Sequence, residues 1–406
     1  MSSSEVVIVG AGVIGAATAY ELARRGVQVT IVEREHPAYG ASGRNVGYLW
    51  SDTRREGVEM EYALAGRRRY DSLVDEIDDF EFRAGGGMIY FFDHQREIFP
   101  AFVENRRKAG LPMELLDADQ AREHCSVLPE DIGGATWNPV DGHVEPTRVT
   151  QSLVAAAQRL GARLVTAEVT GFEIVGGRCL GVHTADGGLR ADTVLVAAGS
   201  WTPSLLDPIG VRIPIDPMRL QVIETEPIEQ RFDPVLYGPT AMKQYALTKA
   251  LDGFDADLYT HPLEEAVPGA EILELTAQRR DGSVIVGCSM DFVGLDQRLT
   301  VGGLTLSLGV IADHLPFLRD LPIRRQWAGL LPQTPDALPI MDQAPGIDGL
   351  LISAGHVFGQ SVGPYTGLLM AQLICGEPTD FDLAPFRYER EAILGAISGS
   401  AELRIW

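Results

Sequence analysis

Only four cysteines occur in 406 residues, and Cys125, Cys179, Cys288 and Cys375 form neither a CxxC pair nor a metal-ligand spacing. A disulfide framework and a zinc site are therefore not expected, and the scarcity suits a reducing, cytoplasmic setting with no bound metal. Positive charge is short as well: 34 Lys and Arg against 56 Asp and Glu leave a formal net charge of -22. A phosphate backbone needs clustered cations on one surface, so nucleic acid is excluded as a partner. The one basic run, RRRY at 67–70, lies among apolar residues at helical spacing and is expected to be a solvated helix face. No stretch approaches the ~18 consecutive apolar residues of a transmembrane helix, although a peripheral membrane contact stays open. The opening MSSSEVVIVG runs almost directly into a buried-strand pattern, leaving no room for a signal peptide, and none is expected. Neither a Ser-His-Asp set nor a paired-carboxylate motif can be picked out.

A chain of this length exceeds what one hydrophobic core serves well, so two domains are expected, and 45% hydrophobic residues can fill both. VVIVG reads as a buried strand, AGVIGAATAYELARRG as a helix closed by Gly26, and VQVTIVE as a second buried strand. Together they make a βαβ unit of a parallel sheet, hence an α/β class. A helical pattern covers 58–78, and GGGMIYFF from 85 opens an aromatic strand in different surroundings. A Pro-led helix follows DGHVE at 141, then strands separated by Gly-Gly and Asp-Gly turns. EILELTAQRRDGSVIVGCSM reads as two strands joined across Asp281-Gly282, and the end as strand, Gly-rich turn and apolar helix. Residues 1–85, 143–218 and 325–406 are expected to form a discontinuous Rossmann-like domain. Segments 86–142 and 219–324 would then form a second domain on a mainly antiparallel sheet.

Gly10, Gly12 and Gly15 spell GxGxxG between a strand and a helix. The first allows a tight turn, the second lets backbone approach a pyrophosphate, and the third lets helix pack on strand. Glu33 ends the second strand, where a carboxylate can accept hydrogen bonds from ribose hydroxyls and would repel a 2'-phosphate. This fingerprint by itself does not separate NAD from FAD.

Six pieces in order, GAGVIGAATAYELARRG, ASGRNVG, DGHVEPTRVT, ADTVLVAAGSW, WAGLLPQTPDALPI and SAGHVFGQSVGPYTGLLMAQLI, span nearly the whole chain. It thereby resembles the FAD-dependent amine and amino-acid oxidoreductases of the D-amino-acid oxidase/dehydrogenase superfamily, among them glycine oxidase, sarcosine oxidases and opine-oxidase flavin subunits. The stretch 224–280 carries least of the likeness. The resemblance implies non-covalent FAD, since LLPQTPDALPI lacks the flavin-linked cysteine some sarcosine oxidases carry nearby. It implies Gly10, Gly12, Gly15, Glu33 and Arg34 around the ADP half, and Ser42, Gly43, Arg44 and Asn45 near the pyrophosphate and flavin. Val169 would meet the adenine side, Ala198, Gly199 and Trp201 would close over the cofactor, and Asp336, Gly355, His356, Gly359, Gln360 and Ser361 would surround the ring. A Gly-rich turn entering a helix aims N–H groups and a positive dipole end outward, which favours reduced flavin.

The implied reaction is oxidation of a C–N bond by hydride transfer to flavin N5, giving an imine that water hydrolyses, with O2 or another electron acceptor taking the electrons. The substrate is expected to be a small amine or amino-acid-like molecule. Competing readings are C–O oxidation of a 2-hydroxy acid or a similar alcohol such as glycerol phosphate, and a flavin subunit in a larger dehydrogenase complex; a homo-oligomer or a hetero-oligomeric partner stays open. Arg44, Tyr245 and His356 are the candidate catalytic residues, with structural roles as the alternative for each; Lys243 and Tyr245 lie either on the substrate side or on an exposed segment. One departure stands out: Leu331 occupies the position where the glycine oxidase type has a carboxylate-binding arginine, and Phe358 and Gly359 stand where relatives carry Arg or Lys. An unpaired carboxylate against such an apolar wall costs several kcal/mol. Either the substrate lacks an acid there, or Arg44, Arg54, Arg55 or Lys243 holds it from elsewhere, Arg44 being favoured because SGRNVG should run past the flavin.

Overall fold

The computed structural model describes residues 5–399. β1 (Glu5–Val9), α1 (Val13–Arg24) and β2 (Gln28–Glu33) make the expected parallel βαβ unit. Val6 to Val9 are buried without a break because β1 is covered on both faces, which is why the segment reads as a continuous apolar run. Past α1, Gly26 takes φ +74°, the left-handed conformation that ends a helix and favours glycine. Six strands lie in the order Ile340–Gln343, Leu350–Ala354, Thr193–Val196, β1, β2, Arg163–Thr166, all parallel except the first. The helices Pro146–Arg159 and Gly359–Cys375 pack against α1. That packing is close: a Cβ on Gly363 would come within 2.7 Å of Val13, and one on Gly367 within 2.4 Å of Ala17.

Eight strands form the second large sheet, in the order Ile323–Gln333, Asp216–Thr225, Val284–Phe292, Glu271–Gln278, Val235–Tyr237, Gly87–Phe92, Ile132–Asn138, Glu114–Leu116. Every pairing is antiparallel except that of Val235–Tyr237 with Gly87–Phe92. Strands 87–92 and 271–292 thus share one sheet despite the chain between them. The boundaries drawn at 218/219 and 324/325 cut through Asp216–Thr225 and Ile323–Gln333, which pair along their lengths and belong to this sheet. Alternation sorts its side chains: Leu273 and Leu275 face one core, while Ile272 faces another that includes Leu306, Val310 and Ile311 of the helix Val301–His314.

The basic run corrects an expectation. Only Arg68 is exposed; Arg69 is buried between Glu21 at 2.8 Å and Glu76 at 2.7 Å, and Arg67 reaches Asp71 at 2.6 Å and the Val140 carbonyl at 2.8 Å. Charge partners distant in sequence turn this supposed solvent face into a clamp between Val58–Leu73 and α1.

Candidate active site

A long cleft starts at the carboxyl ends of β1 and β2 and runs beneath the eight-stranded sheet, enclosing roughly 2000 Å³ of unfilled space, part of it open to solvent. Position at the carboxyl ends of parallel strands is where α/β sheets bind ligands. Gly10, at φ +106°, donates to the Val32 carbonyl at 2.8 Å, and a Cβ there would lie 2.5 Å from the Ala197 carbonyl oxygen. Gly12 caps α1 at the cleft wall, and Ser42 Oγ accepts from the Val13 N–H at 2.9 Å. Gly15 lies off the cleft; its missing side chain lets α1 sit on β1, because a Cβ would meet the Gly10 carbonyl oxygen at 2.1 Å. Gly43 is likewise a packing glycine, 2.3 Å by the same measure from the Ala38 carbonyl oxygen.

Glu33 accepts from the Ala11 N–H at 2.8 Å and the Glu35 N–H at 3.0 Å, which turns its carboxylate toward the glycine turn. Arg34, Val169, Ala198, Gly199 and Trp201 line the same end, with the Arg34 guanidinium 5.5 Å from the Trp201 ring centre. Asn45 ties the two halves of the cleft together, donating to Ala41, Ser42 and Gln360 and accepting from the Gly47 N–H at 2.8 Å.

At the other end stand Gly355, His356, Gly359, Gln360 and Ser361, at the N-terminus of Gly359–Cys375. His356 Nε2 is 3.0 Å from Ser353 Oγ, while its Nδ1 is buried with no hydrogen-bond partner among the described residues. Burial lowers its pKa to about 3, so the ring is neutral at ordinary pH. Asp336 does not join this group: its carboxylate is taken by Arg390 at 2.6 and 2.9 Å, away from the cleft.

Under the sheet the walls turn aromatic and aliphatic. Trp50 and Tyr237 pack with ring centres 3.9 Å apart, and Tyr48, Tyr245, Leu273, Leu275, Cys288 and Leu331 complete the lining. Tyr245 is buried, not exposed, and its hydroxyl is 3.4 Å from that of Tyr237. Lys243 points elsewhere, bound to Glu264 at 2.6 Å. Arg55 is held by Glu59 at 2.5 Å and by the Asp336 carbonyl. Arg44 lines the cleft, but its guanidinium donates to the Ala328 carbonyl at 3.2 Å and lies over the Tyr39 ring at 4.8 Å. Arg54, not the favoured Arg44, supplies the cation beside the tyrosines: it is buried, lines the cleft, and lies 4.3 Å from the Phe358 ring centre.

Behind this loop is a carboxyl pair that no sequence motif announced. Asp52 and Asp141 are both buried and close enough to feel each other's charge, and one oxygen of each, Oδ2, has no hydrogen-bond partner among the described residues. Asp141 also accepts from Ser51, N–H at 2.9 Å and hydroxyl at 2.5 Å, and Asp52 accepts from Asn138 at 2.6 Å. Burial first, then each other's charge, pushes Asp52 well above the usual carboxylate range, and burial pushes Asp141 up to about 7. Through Ser51 and Asn138 the two carboxyls pin the turn that carries Trp50 and Arg54. Among the described residues no cluster of His, Cys, Asp and Glu is arranged to hold a metal ion, and no helix is long and apolar enough to cross a membrane.

The residues present fit a dinucleotide with a planar ring at its far end: a glycine cradle, a carboxylate beside it, and an unpartnered buried imidazole nitrogen next to a helix N-terminus. The family model described as FAD dependent oxidoreductase matches residues 5–373. The chain is 30% identical to glycine oxidase of Pseudomonas aeruginosa over 400 residues, covering 95% of this chain and 98% of that one. Among solved structures, glycine oxidase from Geobacillus kaustophilus superposes with a TM-score of 0.81 at 25% identity, covering 96% of this chain and 100% of the other. L-proline dehydrogenase from P. horikoshii shares the fold at TM-score 0.80 and 23% identity, covering 98% and 99%.

Proposed function

The chain belongs to the family of FAD-dependent oxidoreductases, and from that premise we propose that it oxidises a C–N bond of an amine or modified amino acid. The observation that carries this reading is the continuity of one cleft from the dinucleotide fingerprint to a chamber walled largely by apolar and aromatic side chains. FAD, when bound, supplies a two-electron acceptor that takes a hydride at N5 from the carbon bearing nitrogen, leaving an imine for water to hydrolyse.

The chain's own part is binding, orientation and exclusion of water. Of the cleft-lining residues, Gly10, Gly12, Glu33 and Arg34 would hold the ADP half, Ser42 and Asn45 the pyrophosphate, and Val169, Ala198, Gly199 and Trp201 would close over the cofactor. Gly355, His356, Gly359, Gln360 and Ser361 hold the ring, with the helix N-terminus offering N–H groups to negative charge. Neutral His356 serves as a hydrogen-bonding group at Nδ1 and carries no charge into the site. The eight-stranded sheet and its attached segments act as the substrate domain, with Tyr245 on the substrate side. The cofactor is non-covalent, the protein is cytoplasmic, and electrons pass to O2 or to another acceptor.

A product assay tests the reading. With O2 and with an artificial dye as parallel acceptors, amino acids, N-alkyl amino acids, simple amines and 2-hydroxy acids are supplied to the flavin-loaded protein. Release of ammonia or a primary amine with a matching carbonyl product supports C–N oxidation; turnover of hydroxy acids alone would replace it with C–O oxidation.

A further inference from the structure

On the face of strand Glu271–Gln278 away from the cleft, one carboxylate gathers three other elements. Leu273 and Leu275 line the cleft, so Glu274 between them points to the opposite side, where it is buried. Its Oε1 accepts from the Tyr90 hydroxyl on strand Gly87–Phe92 and lies 2.9 Å from His314 Nδ1, at the end of helix Val301–His314. Its Oε2 accepts from Thr240, hydroxyl at 2.9 Å and N–H at 3.4 Å. Thr240 belongs to the turn Pro239–Gln244, which runs into Tyr245 and the short helix Ala246–Lys249. The segment is shaped around this carboxylate: a Cβ on Gly238 would lie 1.8 Å from Glu274 Cδ, and the Gly238 N–H donates to the Glu274 carbonyl at 3.0 Å. The same segment meets the cleft at Tyr245, whose hydroxyl is 3.4 Å from that of Tyr237. Glu274 thus holds from behind what Tyr245 presents in front.

Among the described residues no Lys, Arg or His other than His314 lies within ion-pair distance of Glu274. A buried carboxylate that loses its counter-charge is strongly disfavoured, whereas the fully hydrogen-bonded pair is tolerated. Around His314 stand Asp313 of the same helix, itself 3.3 Å from Arg319, and Asp131, just before strand Ile132–Asn138. His261 faces it too, with ring centres 5.5 Å apart and its Nε2 3.4 Å from Asp313. Tyr90, the titratable group facing Glu274 from the strand side, keeps its proton far into the alkaline range through burial and the Glu274 charge. Burial by itself would lower the His314 pKa, but the Glu274 charge and hydrogen bond outweigh it and raise the group above its ordinary value. Burial would likewise raise Glu274, but the His314 charge and the bonds from His314, Tyr90 and Thr240 bring it below the usual carboxylate range. Lys243 ties the outer side of the segment to Glu264 at 2.6 Å, a second tether separate from His314.

We propose that Glu274 and His314 form a latch: while the imidazole carries its proton the pair holds residues 239–249, and with them Tyr245, against the chamber, and loss of that proton loosens the segment. Neither residue lines the cleft, so both are positioning residues. Because the folded His314 value is raised, the latch is complete below the unfolded imidazole value of about 6.5 and is lost as pH rises through the folded value. The proposal rests on the C–N reading above only for calling the Tyr245 side the substrate side.

Backbone hydrogen exchange of the flavin-loaded protein, read by mass spectrometry as protection corrected for the intrinsic pH dependence, tests the latch without turnover. Peptides covering 239–249 are compared with those covering strand Thr193–Val196 at pH 6 and pH 9. The expected result is a loss of at least about tenfold in protection across 239–249 and little change in 193–196. His314→Gln, with no charge to lose, should show the low protection at both pH values, and His314→Lys, charged throughout, should keep the high protection at pH 9. Unchanged protection of 239–249, an equal loss in 193–196, or a pH step that persists in His314→Gln would each overturn the proposal. Should the variants fail to fold, the wild-type comparison of the two segments decides. A pH step confined to 239–249 in a protein whose flavin no amino compound reduces would support the latch while defeating the C–N reading. Oxidation of amino compounds by a protein with flat protection would do the reverse.

Discussion

At the scale of single residues, the account turns on groups whose charge the fold changes. Asp141 and Asp52 are held above the usual carboxylate range, so the folded protein binds their proton more tightly than the unfolded chain does. That contribution to stability is complete below the unfolded carboxylate pKa and is lost as pH rises through about 7. Asp141→Asn keeps an acceptor for Ser51 and gives Asp52 a permanent donor. Its melting temperature should therefore fall less than that of the wild type between about pH 4 and 7; parallel curves would show that the fold does not hold Asp141 protonated above the usual carboxylate range. His356 works in the opposite direction. With its pKa lowered to about 3 by burial, its share of stability is present above the unfolded imidazole value and lost as pH falls. Nitrogen NMR of the labelled protein should find this ring neutral from about pH 5 upward, and a titration near 6.5 would contradict the burial argument. Glycines and Glu33 were legible in the sequence because their roles depend on neighbours within one βαβ unit. The Asp52–Asp141 pair, the Arg69 clamp and the placement of Arg54 were not, because each is defined by partners brought together only by the completed fold.

At the scale of elements, the strands and the fingerprint helix stood out because burial on both faces gives continuous apolar runs and glycine marks the turns. What the pattern left open was how closely elements approach. Gly15 illustrates the point: the motif reads it as the glycine that lets helix pack on strand, and the fold adds which atom it clears, the carbonyl oxygen of the Gly10 turn. Gly15→Ala should cost about 1–3 kcal/mol in denaturant unfolding and lower the flavin content of the purified protein. Full stability with full flavin would mean that the turn yields where the geometry says it cannot. Strand edges were blurred for a related reason. Asp216–Thr225 begins, and Ile323–Gln333 ends, within segments expected to join the nucleotide half, but both pair into the other sheet. Resemblance follows the chain, whereas sheets follow hydrogen bonds. Of the aromatic lining only Tyr245 was picked out, with an exposed segment as its alternative, since which side chains meet a cleft depends on what lies across it.

For the molecule as a whole, the two large sheets meet over the cleft, and the chain belongs to the FAD-dependent oxidoreductases. Cys288 is the one cysteine among the cleft's lining residues, and burial pushes that thiol up to about 12, far from a reactive thiolate. Acid precipitation should accordingly release all the flavin into the supernatant; yellow colour retained in the pellet would indicate a covalent link. The central claim, FAD-dependent oxidation at carbon–nitrogen, is tested most directly by the flavin itself. The purified yellow protein is mixed without oxygen with an amino acid, and separately with the 2-hydroxy acid of the same skeleton, while flavin absorbance is followed. The account predicts bleaching by the amino acid and none by the hydroxy acid; bleaching by the hydroxy acid alone would contradict it.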